Sequence, residues 1–271
     1  MRKYMITVSE LAVYPIKSCC QNVVTERLVD AFGFSGDRRW MVVDKSGKFI
    51  TQRQYPRLVL VAVEEQDSGI VISAEGMEPL AITTPSVSDT SQLSVQVWKD
   101  ECQAISAGSE ADEWFSHFLG IECCLVWMPD TFLRQVDRAY ASTGDQVSFA
   151  DGFSFLLISE ASLQSLNERL DAAVPMRRFR PNIVVSGCDP HEEDRWDRIR
   201  IGDIEFSVAK PCSRCVMTTV DTGKGVKTGE PLRTLASYRR QGNGIFFGQN
   251  LVHHGQGEIK AGMAVEVLKY K

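Results

Sequence analysis

No stretch of this sequence approaches the roughly 20 consecutive apolar residues that cross a bilayer, so a membrane-spanning helix is not expected. A secretory leader is not expected either, because Ser9 and Glu10 interrupt MRKYMITVSELAVYPIK too soon after its early positive charges. Positive charge is in short supply. The 30 Lys and Arg against 35 Asp and Glu leave a net charge of −5, the wrong balance for general binding of a nucleic-acid polymer by neutralising its phosphates. Low-complexity tracts, repeats of solenoid period and blocks of like charge are also lacking. Cysteine is plentiful but unordered: the eight residues include the adjacent pairs Cys19–Cys20 and Cys123–Cys124, which do not form a disulfide framework. These absences leave an ordinary folded protein with reduced thiols, expected in the cytoplasm and away from membranes.

The 271 residues suffice for one large domain or two smaller ones. The first hundred read as short strands, among them MITVSELAVYPI, RRWMVVD, KFITQ, RLVLVAVEEQ, GIVISAEG and LSVQVW, separated by turns such as DKSGK and QDSG. Such spacing predicts a barrel or sandwich. SEADEWFSHFLG then switches to helical period: Ser109 is placed to cap with Asp112, Trp114, Phe115, Phe118 and Leu119 share a face, and Gly120 ends the helix. Residues 129–152 lack periodicity and read as a long ordered loop on a functional face. A helix capped by Ser159 follows, with Leu163, Leu166 and Leu170 on one stripe. NIVVSG, RIRIGDIEFSVA, CVMTTVD and EIKAGMAVEVLK then read as strands, with a short helix starting at Pro231. The expected class is mainly β with a few packed helices, an α+β arrangement divided into residues 1–125 and 126–271.

AKPCSRCVMTTVD holds the single C-x-x-C, Cys212 and Cys215. Structural zinc wants four ligands in paired spacing. The remaining candidates, Cys188, His253 and His254, do not supply it. Thioredoxin-like exchange wants a helix after the first cysteine, whereas VMTTVD is a strand former. Two buried core cysteines are the bland alternative. Lys210 and Arg214 speak against it, since they would be poor core neighbours but would favour a thiolate. A solvent-reachable sulfur ligand fits better.

Other segments place polar residues in apolar strand contexts: Lys17 and Ser18 in YPIKSCC, Arg38 and Arg39 in GDRRW, Arg53 in ITQRQYPRL, and Arg178, Arg180 and Asn182 in MRRFRPNIVV. Singly, each cation is an exposed surface charge. Together, in an acidic chain, they outline an anion pocket, with phosphate the natural guest of a guanidinium fork.

YPIKSC, GDRRWMVVD, FITQRQYPRLVL, FADGFSFLLISEASLQSLNERL, FRPNIVVSGC, PCSRCVMTTVDTGKG, GEPLRTLASYR and FGQNL occur in this order. In that order they resemble the MOSC family, the molybdenum cofactor sulfurase C-terminal domain with its N-terminal β-barrel companion. The resemblance is to the branch of the mitochondrial amidoxime reducing component and its bacterial relatives, and it covers nearly the whole chain. It implies an N-terminal β-barrel-like domain followed by a MOSC β-barrel domain. It also implies a molybdenum-molybdopterin cofactor with Cys215 as the metal ligand and catalytic centre. Cofactor contacts carry over to Lys17, Ser18, Arg38, Arg180, Asn182, Ser213 and Arg214, and from ADGFS to Ser154.

By the same resemblance, the reaction reduces a small N-hydroxylated substrate to its N–H form and water. Some bacterial relatives continue into a C-x4-C-x2-C iron–sulfur domain. No such motif follows VEVLKYK, so no iron–sulfur cluster is expected and electrons should come from a separate flavoprotein or ferredoxin-type protein. Mammalian members carry a membrane anchor, which is not expected ahead of YPIKS here. No Schiff-base lysine for pyridoxal phosphate is identifiable. Two alternatives stay open: Cys215 as a persulfide carrier for metal–sulfur assembly, and a non-catalytic module that stores or delivers the cofactor. Asp221 and His253 invite a proton-donor role that nothing in the sequence supports.

Overall fold

The computed structural model describes residues 5–88 and 92–271, so Arg2 and Lys3 lie outside it. The largest sheet runs from the edge strand Val265–Tyr270 through Trp196–Ile201, Ile204–Ser213, Gly244–His254, Phe155–Ser159, Ile183–Ser186 and Thr7–Val13 to Asn22–Val24, and Arg240–Gln241 adds to Gly244–His254. Its ladders are antiparallel except where Phe155–Ser159 meets Ile183–Ser186. A parallel neighbour needs a crossover, and the helix Glu160–Asn167 supplies it. Ser159 caps that helix as expected, its Oγ accepting from the Ser162 amide at 3.1 Å.

The strand Thr7–Val13 sits well inside the sheet formed mostly by the second half of the chain. A bulge between Val8 and Glu10 resets its register, so that Val8, Leu11 and Val13 all reach the core. There they join Phe34, Phe155 and Phe206, whose rings meet edge to face at 4.9 and 5.4 Å.

Most of the first half builds smaller sheets. Trp40–Asp44, Cys123–Trp127, Asp100–Ser106 and Gln92–Val97 form four antiparallel strands, and Ala62–Gln66, Gly69–Ser73 and Leu80–Thr83 form a meander. The helix Ser109–Leu119 covers them with Trp114, Phe115 and Phe118. Its cap differs from expectation. Gly108 is the N-cap and Ser109 already helical, while Asp112 is drawn off to accept the Leu125 amide at 2.8 Å. Gly120 ends the helix at φ 69°.

Two expected strands are something else, and a third, RLVLVAVEEQ, opens in the 3-10 helix Pro56–Leu60 and becomes a strand only at Ala62–Gln66. In KFITQ, Lys48 and Phe49 make only isolated bridges to Gln96 and Val43. In CVMTTVD the strand has already ended at Ser213, and Val216–Thr219 is a 3-10 turn capped by Cys215. The short helix near Pro231 spans Leu232–Tyr238, with Pro231 just before it.

Candidate functional site

The chain leaves the large sheet at Tyr14 and joins the smaller one through Ile16, which bridges to Trp40. Lys17 and Ser18 therefore stand at the seam. Arg38 is brought there by the bonds of its amide to the Tyr14 carbonyl and of its own carbonyl to the Phe149 amide. Arg180 and Asn182 arrive just before the strand Ile183–Ser186, and Cys212 to Cys215 at the far end of Ile204–Ser213. These segments close around a cavity of about 340 Å³. Lys17, Ser18, Arg38, Arg180, Asn182, Ser213, Arg214 and Cys215 all line it, although up to 198 positions of sequence separate them.

The lining is strongly cationic. Lys17, Arg38, Arg53, Arg178, Arg180 and Arg214 face it against one carboxylate among the described residues, Asp151. Several cations are already ordered. Arg38 Nη1 donates to Asp37 at 2.5 Å and to Asn182 Oδ1 at 3.0 Å. The Arg38 and Arg180 guanidinium groups lie 4.3 and 4.1 Å from the centre of the buried Tyr14 ring. Arg180 Nη1 also donates to the Cys19 carbonyl at 2.7 Å. Lys17 Nζ donates to the Phe149 carbonyl at 2.7 Å and to Asp151 at 2.6 Å. Burial lowers its pKa to about 8, opposed by the charge of Asp151. Asp151 itself is pushed up by burial but held well below the carboxylate range by Lys17 and Arg53.

Two kinds of cost are concentrated here. Ser18, Arg38, Trp98 and Arg180 all line the cavity with φ between 49° and 71°, and only His191 among the other described non-glycine residues shares that region. Moreover Ser18 Oγ, Arg53 Nη1, Arg178 Nε, Arg180 Nη2 and Arg214 Nε are buried without a hydrogen-bond partner. An unmade bond of this kind costs roughly 1–3 kcal/mol, more for a charged donor. Donors left idle around one hollow are arranged for an acceptor-rich, anionic guest.

Some side chains depart from expectation. Ser154 does not line the cavity: its neighbours Phe153 and Phe155 do, while its own Oγ turns away to donate to the Gln146 carbonyl at 2.9 Å. Asn182 is there, but its amide is spent internally, donating to Ala12 O and accepting from Leu156 N and Arg38. Arg214 contacts the sulfur of Cys212, at 3.2 Å, rather than that of Cys215. Burial raises the Cys212 thiol pKa, with Arg214 opposing. Lys210 lies over the rings of Tyr140 and Phe153 on a neighbouring cavity, so it is not a cation beside Cys215.

Cys215 is partly exposed, and its carbonyl accepts from the Thr218 amide at 3.1 Å and hydroxyl at 3.0 Å. Its Sγ has no hydrogen-bond partner among the described residues. A thiol that faces an open cationic cavity without a competing bond is free to ligate a soft metal. No group of three or more metal-binding side chains is found among the described residues, so a metal here would take its other ligands from elsewhere. Asp221 pairs with Arg178 at 3.1 Å and accepts the Gly223 and Lys224 amides, and His253 bonds Gly255 O. Neither lines the cavity.

Sequence reasoning missed Tyr14, Trp98, Arg134 and Asp151. Arg134 is 4% exposed and ties the 129–152 loop together, donating to Asp100, Ser148 O and Ala150 O. Its position in an aperiodic stretch gave no signal of this.

The MOSC N-terminal beta barrel domain matches residues 5–122 and the MOSC domain matches residues 144–266. The chain is 36% identical over 279 residues to mitochondrial amidoxime-reducing component 1 of Mus musculus, covering 97% of this chain and 82% of that protein. It is 39% identical over 242 residues to mitochondrial amidoxime reducing component 2 of Bos taurus, covering 86% and 72%. Among solved structures, the YUAD protein from Bacillus subtilis aligns over 98% of this chain and 97% of its own at 11% identity, with a TM-score of 0.42, a likeness too loose to bear on function.

Proposed function

On the premise that this chain belongs to the MOSC family, with the mitochondrial amidoxime-reducing components as its relatives, we propose that it reduces N-hydroxylated compounds using a molybdenum cofactor. The observation that carries this is the set of idle buried donors, Ser18, Arg53, Arg178, Arg180 and Arg214, around a cavity that also presents the Cys215 sulfur. A phosphorylated, hydrogen-bond-rich pterin fits such a donor set.

Cys215 would hold the metal through its thiolate, and Lys17, Ser18, Arg38, Arg180, Ser213 and Arg214 would grip the pterin and its phosphate. The bound cofactor supplies the two-electron chemistry. In the overall reaction the N–O bond breaks, two electrons and two protons are consumed, and an N–H compound and water leave. The chain's own part is to bind and orient. Arg38 is fixed by Asp37 and Asn182, Arg214 by Cys212 and Phe179 O, so charge is placed before the guest arrives. Asn182 acts through Arg38 and is a positioning residue. Lys17, with a pKa near 8, keeps its proton at neutral pH and can compensate an anion. The electron donor is a separate protein of flavoprotein or ferredoxin type.

No helix among the described residues is long and apolar enough to cross a membrane. The cytoplasm is the compartment proposed, while the relatives are named mitochondrial. Purified protein should contain molybdenum and a fluorescent pterin and should reduce benzamidoxime with an artificial reductant. Cyanide-labile sulfur without metal would instead favour a persulfide carrier, and cofactor without turnover would favour a storage module.

A further inference from the structure

A second cavity, of about 900 Å³, adjoins the first and shares with it Arg53, Trp98, Asp151, Gly152 and Phe153. Its far walls come from three places: the turn between the strands Gln92–Val97 and Asp100–Ser106, the segment around Lys48, and the loop stretch 134–138. The volume is that of a chamber for a sizeable small molecule. Trp98 is 46% exposed although Arg53 and Phe49 lie 4.5 and 5.1 Å from its ring, and Phe153 lines both cavities with Lys210 at 5.0 Å from its own, so aromatic edges and one partly open indole face stand where the two spaces meet.

Charge on this chamber is one-sided. Arg134 is neutralised by Asp100 at 2.7 Å and Arg53 faces Asp151 at 3.4 Å. That leaves Lys48, Lys99, Arg138 and Lys210, none of which makes an ion pair among the described residues. The remaining acid, Asp137, accepts the Ala139 amide at 3.0 Å. Four cations without an ion-pair contact, of which only Lys48 has a carboxylate, Asp44, acting on it, stand against the one unpaired acid of the chamber in a chain of net charge −5. A cleft of one sign concentrates guests of the other sign.

We propose that the chamber selects N-hydroxylated aromatic substrates that carry an anionic group, a phosphate or a carboxylate, at the end remote from the N–OH. The ring stacks by Trp98 and Phe153, the N–OH points inward toward Cys215, and the anion is met by Lys48, Lys99 and Arg138. This rests on the reductase reading and adds the class of substrate to it.

The test compares N6-hydroxyadenosine with its 5′-monophosphate, and benzamidoxime with 4-carboxybenzamidoxime, in the cofactor-loaded full chain with an artificial reductant. Binding of adenosine and adenosine 5′-monophosphate is measured alongside by calorimetry. The anionic member of at least one reactive pair should show about tenfold higher kcat/KM, an advantage that shrinks with added salt. Which pair shows it distinguishes phosphate from carboxylate. In the K48Q/K99Q/R138Q variant the ratio within that pair should fall to near one, and the preference for adenosine 5′-monophosphate should disappear although the inner cations remain. Equal kcat/KM within both pairs of the unaltered protein overturns the proposal. So does a variant that keeps the ratio and is slowed only with a protein electron donor, since the cations would then serve docking. Failure to reduce any of the four compounds, with the phosphate preference in binding intact and lost in the variant, sinks the reductase reading while leaving the anion site standing.

Discussion

Cys215 and Cys212 are three residues apart and differ in what surrounds their sulfurs. Both residues line the cavity, but Cys212 Sγ is held by Arg214 and its thiol pKa is raised by burial, whereas Cys215 Sγ is unbonded among the described residues. Cys215→Ala is therefore expected to abolish benzamidoxime reduction and metal content while leaving the circular dichroism spectrum unchanged. Cys212→Ala only loosens Arg214 and should cost less than about tenfold in kcat. Equal losses in both variants would point to a paired role for the two sulfurs. Lys17 gives a second expectation. Its pKa of about 8 lies below the ordinary 10.5, so the free protein loses this charge as pH rises through 8. Retention of the anionic cofactor, followed by pterin fluorescence after dilution, should weaken above pH 8 with a limiting slope of about tenfold per unit. Between about 8 and 10.5 the unfolded chain binds the extra proton, so the Lys17 contribution to stability rises with pH over the same range. The opposite signs separate lost binding from lost folding, and Lys17→Met should remove both slopes. The sequence showed these residues as motifs of unusual type at strand ends. It could not show that Asn182 spends its amide internally, that Lys210 points to another cavity or that Ser154 turns to Gln146, because side-chain direction is not written in residue order.

Alternation and turn chemistry made most strands legible, and Ser159 and Gly120 marked two helix ends correctly. The departures have one cause: β-branched and other apolar residues suit a buried bridge or a 3-10 turn as well as a strand, so KFITQ, CVMTTVD and the RLVL stretch carry a strand pattern without a full strand. The 129–152 loop teaches the reverse. Nothing periodic holds it, yet Arg134 reaches from inside it to Asp100 on a neighbouring strand and to carbonyls at 148 and 150, giving a long connection a fixed course past both cavities. Arg134→Ala would leave those carbonyls and Asp100 without their donor. A loss of about 2–4 kcal/mol in denaturant unfolding is expected, together with faster proteolysis within residues 129–152. Cleavage at an unchanged rate would show that the loop is held by something else.

At the scale of the whole molecule the two family matches, 5–122 and 144–266, suggest separable halves. The sheet pairing does not respect such a cut. Thr7–Val13 lies between Ile183–Ser186 and Asn22–Val24, and Glu26–Asp30 pairs with Gly257–Lys260. Fold class was readable because strand patterns are local, but this exchange joins residues more than 170 positions apart and leaves no local trace. Its energetic consequence is large. Val8, Leu11 and Val13 are at most 1% exposed, and removing their burial forfeits about 5–9 kcal/mol. That is comparable to the whole stability of a typical domain, about 5–15 kcal/mol. Residues 126–271 expressed alone should therefore lack a cooperative thermal transition, while co-expression with residues 1–125 should restore one and rebuild the cavity, since Lys17, Ser18 and Arg38 come from one piece and Arg180, Arg214 and Cys215 from the other. A well-dispersed amide spectrum from the isolated 126–271 fragment would show that the second half completes its core without the borrowed strand.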